Sequence, residues 1–224
     1  MPGADKTIHW IIITRSIEKI RFLFYVVEEI NYIGAEDLTF DAGGLRAFFA
    51  LNGKRLTEEQ SVKVLERTGG WPLAVSTYFD SGNENGIFKE NDIKNKIETR
   101  ISTAFFDGLS QNKKEICMIL GLFPKGTNGQ LAFLAGRAYV DADLMELVDI
   151  APLIAYNREE GVYKICPVMS EYLQTRLLNA SLSTRREIYS RAGDWRAENG
   201  ETREAIECYL EAKNYEKIVS LDLT

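Results

Sequence analysis

From Asp41 to the C-terminus the apolar residues recur at helical spacing, and that regularity breaks only once, between Leu153 and Ile165, where the period becomes two. One short period-two passage inside a long helical pattern cannot build a large sheet. The expected class is therefore mainly α with a small β component. Leu153–Asn157 and Gly161–Ile165 flank Arg158-Glu159-Glu160 and read as a β-hairpin. Three helices precede it, at Gln111–Phe123, Gln130–Ala135 and Asp141–Ile150, the last capped by Asp141. Three helices and then a hairpin is the order of a winged helix. Pro167 opens a further helix, Val168–Leu178.

The helices before that passage carry their own punctuation. Leu45, Phe48 and Phe49 mark a short helix ended by Asn52-Gly53. Thr57 with Gln60 has the spacing of a capping box, and Val62 and Leu65 lead to a stop at Gly69-Gly70. Pro72 suits the first turn of a helix over Pro72–Phe79, and Asp80–Gly86 is a run of turn formers. A long helix is expected over Asn91–Phe106, with Ile93, Ile97, Ile101 and Ala104 inward.

The two ends differ. Thr7–Thr14 is β-branched and apolar on both faces, as in a strand buried within a parallel sheet, and Arg15 follows at its carboxyl end. Ser16–Val27 has helical spacing, and Glu29–Ile33 reads as a second strand ending at Gly34. At the C-terminus, Arg186–Asn199 and Thr202–Ala212 form a helical pair around Gly200, and Asn214–Leu221 begins a third helix. Trp195, Gly200, Ala205 and Tyr209 fit one tetratricopeptide-like unit. That unit has no polar cap, so the chain reads as cut at both ends. Three parts are expected: 1–90, a strand remnant plus helical subdomain; 91–182, a winged helix; and 183–224, a first helical hairpin of a repeat.

Residue counts exclude several chemistries. The single histidine, His9, lies inside an apolar run, which argues against a His-based metal site or a Ser-His-Asp triad. Cys117, Cys166 and Cys208 are widely spaced with no Cys-x-x-Cys, as suits reduced thiols in a cytoplasmic protein. Neither Gly-x-x-x-x-Gly-Lys-Ser/Thr nor Gly-x-Gly-x-x-Gly occurs. A net charge of -6 argues against general binding to a phosphate backbone. The longest uninterrupted apolar run, Phe22–Val27, is far below a membrane span, and the N-terminus lacks the pattern of a signal peptide.

The order of pieces resembles a known family. Ile11-Ile12-Ile13-Thr14-Arg15, Gly34-Ala35-Glu36-Asp37-Leu38-Thr39-Phe40 and Arg67-Thr68-Gly69-Gly70-Trp71-Pro72-Leu73-Ala74 resemble the back half of the ATPase module in MalT-like regulators. These are ATP-dependent LuxR-family activators of the STAND class. Tyr163-Lys164-Ile165-Cys166-Pro167-Val168-Met169-Ser170-Glu171-Tyr172-Leu173 is similar to their winged helix, and Trp195–Tyr209 to the start of their helical-repeat sensor. The resemblance implies that Arg15 reads the terminal phosphate and that Gly70, Trp71 and Pro72 lie near the adenine. Read locally, Arg15 is equally a solvated arginine at a strand end. Gly70-Trp71-Pro72 is equally a helix stop followed by proline at a helix start.

Departures from the family pattern shape the expectation. Cys166 stands where the family usually has a His that contacts the ADP phosphates, and a thiol supplies no charged donor. No phosphate loop and no acidic magnesium-holding strand lie among these residues. The expected role is thus a non-catalytic part of such a regulator, a conformational switch and protein-interaction portion that needs no cofactor and does not bind ATP or ADP tightly. Its expected partners are other domains of the regulator or another protein chain, with a homodimer through residues 7–14 as one mode, and neither membrane nor nucleic acid. The alternative is a stand-alone winged-helix DNA-binding regulator. Asp141, Asp143, Glu146 and Asp149, with no Lys or Arg among them, speak against it.

Overall fold

A computed structural model describes residues 11–14, 22–26, 30–34, 37–82, 89–150 and 153–221. The chain divides into two units, Met1–Tyr32 and Ile33–Thr224. In the first, α1 is Leu23–Val26, the described part of the helix expected over Ser16–Val27. Residues 11–14 carry neither helix nor strand, and the rest of the expected strand lies outside the described residues, as does Arg15. Residues 30–34 are likewise without regular structure, so the expected strand over Glu29–Ile33 does not form there. Exposed Ile30 and Tyr32 have no ladder to join.

The second unit is mainly α with one small sheet. α2 (Ala42–Leu51) starts where the Asp41 carboxylate accepts the Gly44 N–H at 2.6 Å. α3 (Glu58–Thr68) opens on the expected capping box: Thr57 Oγ1 accepts from Gln60 N–H, and Gln60 Oε1 accepts from Thr57 N–H. α4 (Pro72–Ser81) begins with proline, whose missing N–H costs nothing at that position. It extends through Asp80 and Ser81, two residues expected in a loop; residues 83–88 lie outside the description.

α5 (Glu90–Ile101) buries Ile93, Ile97 and Ile101 as expected, but Ala104 is exposed. The helix widens into a π-turn, Ser102–Phe106, closed by Asp107 N–H to Ser102 O at 2.9 Å. One extra residue per turn rotates Ala104 outward and brings Phe106 into the core.

Next come α6 (Gln111–Leu122), β1 (Lys125–Thr127), α7 (Asn128–Ala135), α8 (Asp141–Ile150), β2 (Ile154–Asn157) and β3 (Val162–Ile165). The hairpin is where the period-two passage put it, with Ile154 opposite Ile165 and Asn157 opposite Val162. Sequence reading missed β1, which pairs antiparallel to β3 and gives the order β1-β3-β2. Its register sets Lys125 against Lys164, and Glu160 relieves the repulsion by pairing with both, at 2.6 and 2.9 Å. Those two lysines hold the Glu160 carboxyl below its ordinary range. Asp141 is the first residue of α8, whose Leu144 N–H bonds to Val140 O. Leu144 and Leu147 are fully buried and Val148 partly; the side chain of Ile150 lies outside the description.

α9 (Pro167–Leu178) lies against α6, and both α3 and α5 pack on it. α10 (Leu182–Glu198) and α11 (Thr202–Ala212) form the closest helical pair, followed by α12 (Tyr215–Ser220). Gly193 makes that approach possible. A Cβ there would meet the Tyr209 ring at 2.4 Å, and Tyr209 Oη donates to Asp194 at 2.9 Å. The expected part boundaries near 90 and 182 both lie inside this second unit.

Candidate functional site

Three of the four residues singled out from sequence sit in one turn between α3 and α4. α3 stops because Gly69 takes the left-handed conformation, φ +60°, and Gly70 follows at φ +73°. Thr68 Oγ1 donates to Val64 O at 2.7 Å and accepts the Gly70 N–H at 3.2 Å. Trp71 N–H then returns to Thr68 O at 3.1 Å, and Pro72 starts α4. Gly70 O accepts the Phe40 N–H at 2.9 Å. This approach is so close that a Cβ on Gly70 would stand 2.3 Å from Phe40 O. Only glycine fits, for both space and φ.

The turn meets the start of α9. A Cβ on Gly69 would lie 3.4 Å from Pro167 Cδ and 3.6 Å from Cys166 Cβ, in ordinary contact. Cys166 is fixed from the hairpin side, its N–H donating to Leu153 O at 3.2 Å. Burial pushes the Cys166 thiol up to about 11, against the pull of the first N–H groups of α9, so at neutral pH it is a thiol and not a thiolate. The faces of Gly69 and Gly70 are thus filled by Cys166, Pro167 and the Phe40 backbone. The Cys166 thiol offers no charge to a phosphate.

Beside the turn runs a cleft of about 220 Å³ between α3, α4, α5 and α9, with Arg67, Tyr78, Glu90, Lys94 and Glu171 in its walls. An ion pair spans it, Lys94 Nζ to Glu171 Oε1 at 2.7 Å. The hydrogen bond to Glu171 raises the Lys94 ammonium above its ordinary range. Tyr78 Oη donates to Glu90 at 3.1 Å, and burial, then Glu90, pushes its phenol well up. Tyr78 and Cys166 both stay protonated at neutral pH and offer no nucleophile. Among the described residues no group of His, Cys, Asp and Glu could hold a metal ion, and no helix is long and apolar enough to cross a membrane.

Of the four acids of α8, Asp143 and Asp149 are half-buried. Asp141 and Glu146 are exposed; Glu146 pairs with Lys113 at 2.5 Å and Asp143 with Arg137 at 3.7 Å. Sequence reading missed two polar clusters. Glu115 lies between Arg137 (2.8 Å) and Arg191 (2.9 Å), and Ser102 between Asp107 and Arg176. Their members lie up to 76 positions apart, and no local pattern joins them.

The sequence matches no known protein-family profile and no curated protein. The MalT-like resemblance rests on the residues quoted for it.

Proposed function

We propose that this chain is the switch and protein-interaction portion of a MalT-like regulator. It joins a helical subdomain (α2–α4), a winged helix (α6, β1, α7, α8, β2, β3) and a first repeat-like hairpin (α10–α11). The close approach of Gly69, at the end of α3, to Cys166 and Pro167 carries the reading. The resemblance places Gly70-Trp71-Pro72 near the adenine and position 166 near the phosphates, and here the end of α3 at Gly69 comes close to Cys166 and Pro167. A turn and a helix start that approach this closely suit a two-state mechanical element. The chain order α6, β1, α7, α8, β2, β3 with sheet order β1-β3-β2 supports the winged helix, and the exposed acids Asp141 and Glu146 of α8 favour a packing role over DNA reading.

On this reading the 224 residues are not an enzyme and hold no cofactor. Partners are other domains of the regulator or another protein chain, including a second copy through residues 7–14, of which Ile11 and Ile13 are exposed. The test is calorimetric titration with ADP and ATP in magnesium buffer, beside a gel shift on mixed-sequence duplex at low salt, where charge-driven binding is strongest. No saturable binding is expected in either. Tight stoichiometric nucleotide binding, or a sharp shift at low micromolar protein, overturns the reading.

A further inference from the structure

The isoleucines of α5 recur every fourth residue, at Ile93, Ile97 and Ile101, and the next residue of that series is Phe105. Phe105 is nonetheless not the residue the core takes. The π-turn closes between Ser102 O and Asp107 N–H, and Phe106 goes inward, 7% exposed, while Phe105 is only partly buried. Two adjacent phenylalanines thus stand at the two positions that compete for one place. Phe105 continues an unbroken α-helix, and Phe106 suits a turn with one extra residue.

A π-turn is rare, so side-chain contacts must favour it over the α form. Here those contacts come from beyond α5. Arg176 Nη2, on α9, donates to Ser102 Oγ at 2.6 Å, and Ser102 Oγ donates to the Asp107 carboxylate, at 2.9 and 3.0 Å to its two oxygens. Phe106 meets the Tyr172 ring edge-on with centres 5.7 Å apart, and the Arg176 guanidinium lies 5.6 Å from the Phe106 ring centre. Arg176 Nε is tied to Tyr172 Oη at 2.9 Å, so α9 presents ring and cation as one unit. From α6, Lys114 Nζ donates to Asp107 O at 3.2 Å and stands 5.7 Å from the Phe106 ring centre. Ser102 is the hub, the one side chain bonded both to α9 and to the far end of the turn. Past the turn, Asp107-Gly108-Leu109 leads to Ser110, the cap of α6. A Cβ on Gly108 would meet nothing nearer than Phe105 O at 3.9 Å, so this linker has room for a residue released from the turn.

We propose that residues 102–106 are a register switch: α5 passes between the π-turn and a continuous α-helix, one residue moves into the 107–109 linker, and Phe105 replaces Phe106 against Tyr172. Contact with α9 holds the π form, and loss of that contact releases the α form. A shift of one residue turns the following side chains by about 100°, which takes Phe106 out of the core and Asp107 away from Ser102. The position of α9 is thereby coupled to the linker that starts α6. The device needs no nucleotide and no movement of the Gly69–Pro72 turn. Its failure would leave the nucleotide and DNA titrations unaffected, and theirs would leave it standing.

Amide nitrogen relaxation dispersion, with ring-to-ring Overhauser contacts in protein carrying labelled phenylalanine and tyrosine, reads the two registers. In the parent, Phe106 should contact Tyr172, and one exchange process should cover residues 102–109 and spare residues 93–97. Ser102→Ala removes the hub and should raise the α-form population about tenfold or more, with a Phe105–Tyr172 contact appearing. Phe105→Ala removes the ring that the α form needs and should quench the exchange. If Ser102→Ala does not fold, Arg176→Lys, which keeps the charge and loses the forked donor, takes its place. An unchanged Phe106–Tyr172 contact with no rise of the minor form in that variant overturns the proposal. So does exchange that persists undiminished in Phe105→Ala.

Discussion

Two seams flank α9 and its partner α6, and they are built differently. On the C-terminal side, α10 is fastened to α6 and α7 by a shared carboxylate: Glu115 holds Arg137 and Arg191, all three side chains only 20–24% exposed. Arg191 Nε also donates to Leu134 O at 2.5 Å, Phe133 packs on Trp195 with ring centres 5.4 Å apart, and Arg196 lies over Phe123. On the N-terminal side, Gly69 approaches Cys166 and Pro167 so closely that an added Cβ would just touch them. The Lys94–Glu171 ion pair on this side has both side chains 45% exposed. A half-exposed pair is screened and contributes little, whereas a shielded one costs several times more to break. The same α6–α9 body is therefore tied to α10 by shielded ion pairs, and to α5 by a half-exposed ion pair together with the Arg176–Ser102 hydrogen bond and the Phe106–Tyr172 ring contact. A switch placed here works at the second seam.

Gly70→Ala gives the largest expected effect, about 2–4 kcal/mol of lost stability in urea unfolding. The new Cβ would displace the Phe40 backbone at a positive φ. A loss below 1 kcal/mol, by the same cited scale, would mean that the turn already yields easily. Glu115→Gln tests the α10 seam. It leaves two guanidiniums short of their counter-charge and should cost about 1–3 kcal/mol, under the figure for full burial because the groups keep some water.

Cys166 adds a pH arm. Its thiol keeps its proton in the fold beyond the ordinary value of about 8.5. The stability this gives is complete below that value and is lost as pH rises toward about 11. Comparing Cys166→Ser with the parent across this window should show the parent falling faster. Equal slopes would mean the thiol is not shielded by the turn. Lys94→Met comes last, at about 0.5 kcal/mol or less. A loss equal to that of Glu115→Gln would erase the difference between the seams.

Much of this was legible locally. The Thr57–Gln60 box, the stop at Gly69, the prolines opening α4 and α9 and the hairpin register each depend on neighbours within a few positions. β1 was not legible, since Lys125-Gly126-Thr127 is too short to display a period. The π-turn was missed because Ala104 continues an ideal helical stripe, and only the contacts of Ser102 and Phe106 favour an inserted residue. For the candidate site, the turn's own geometry was readable, but its approach to Cys166 spans almost a hundred positions. The clusters around Glu115 and Arg176 likewise arise only when distant helices pack.

Two tryptophans report on the two seams, Trp71 in the turn and Trp195 against Phe133. Fluorine NMR of 5-fluorotryptophan-labelled protein, with resonances assigned by single Trp→Phe replacements, reads both at once. Expected is a Trp71 signal split or broadened by exchange between two states while Trp195 stays single and sharp. A single sharp Trp71 signal, or a Trp195 signal that exchanges with it, would contradict a switch at the α3–α9 seam.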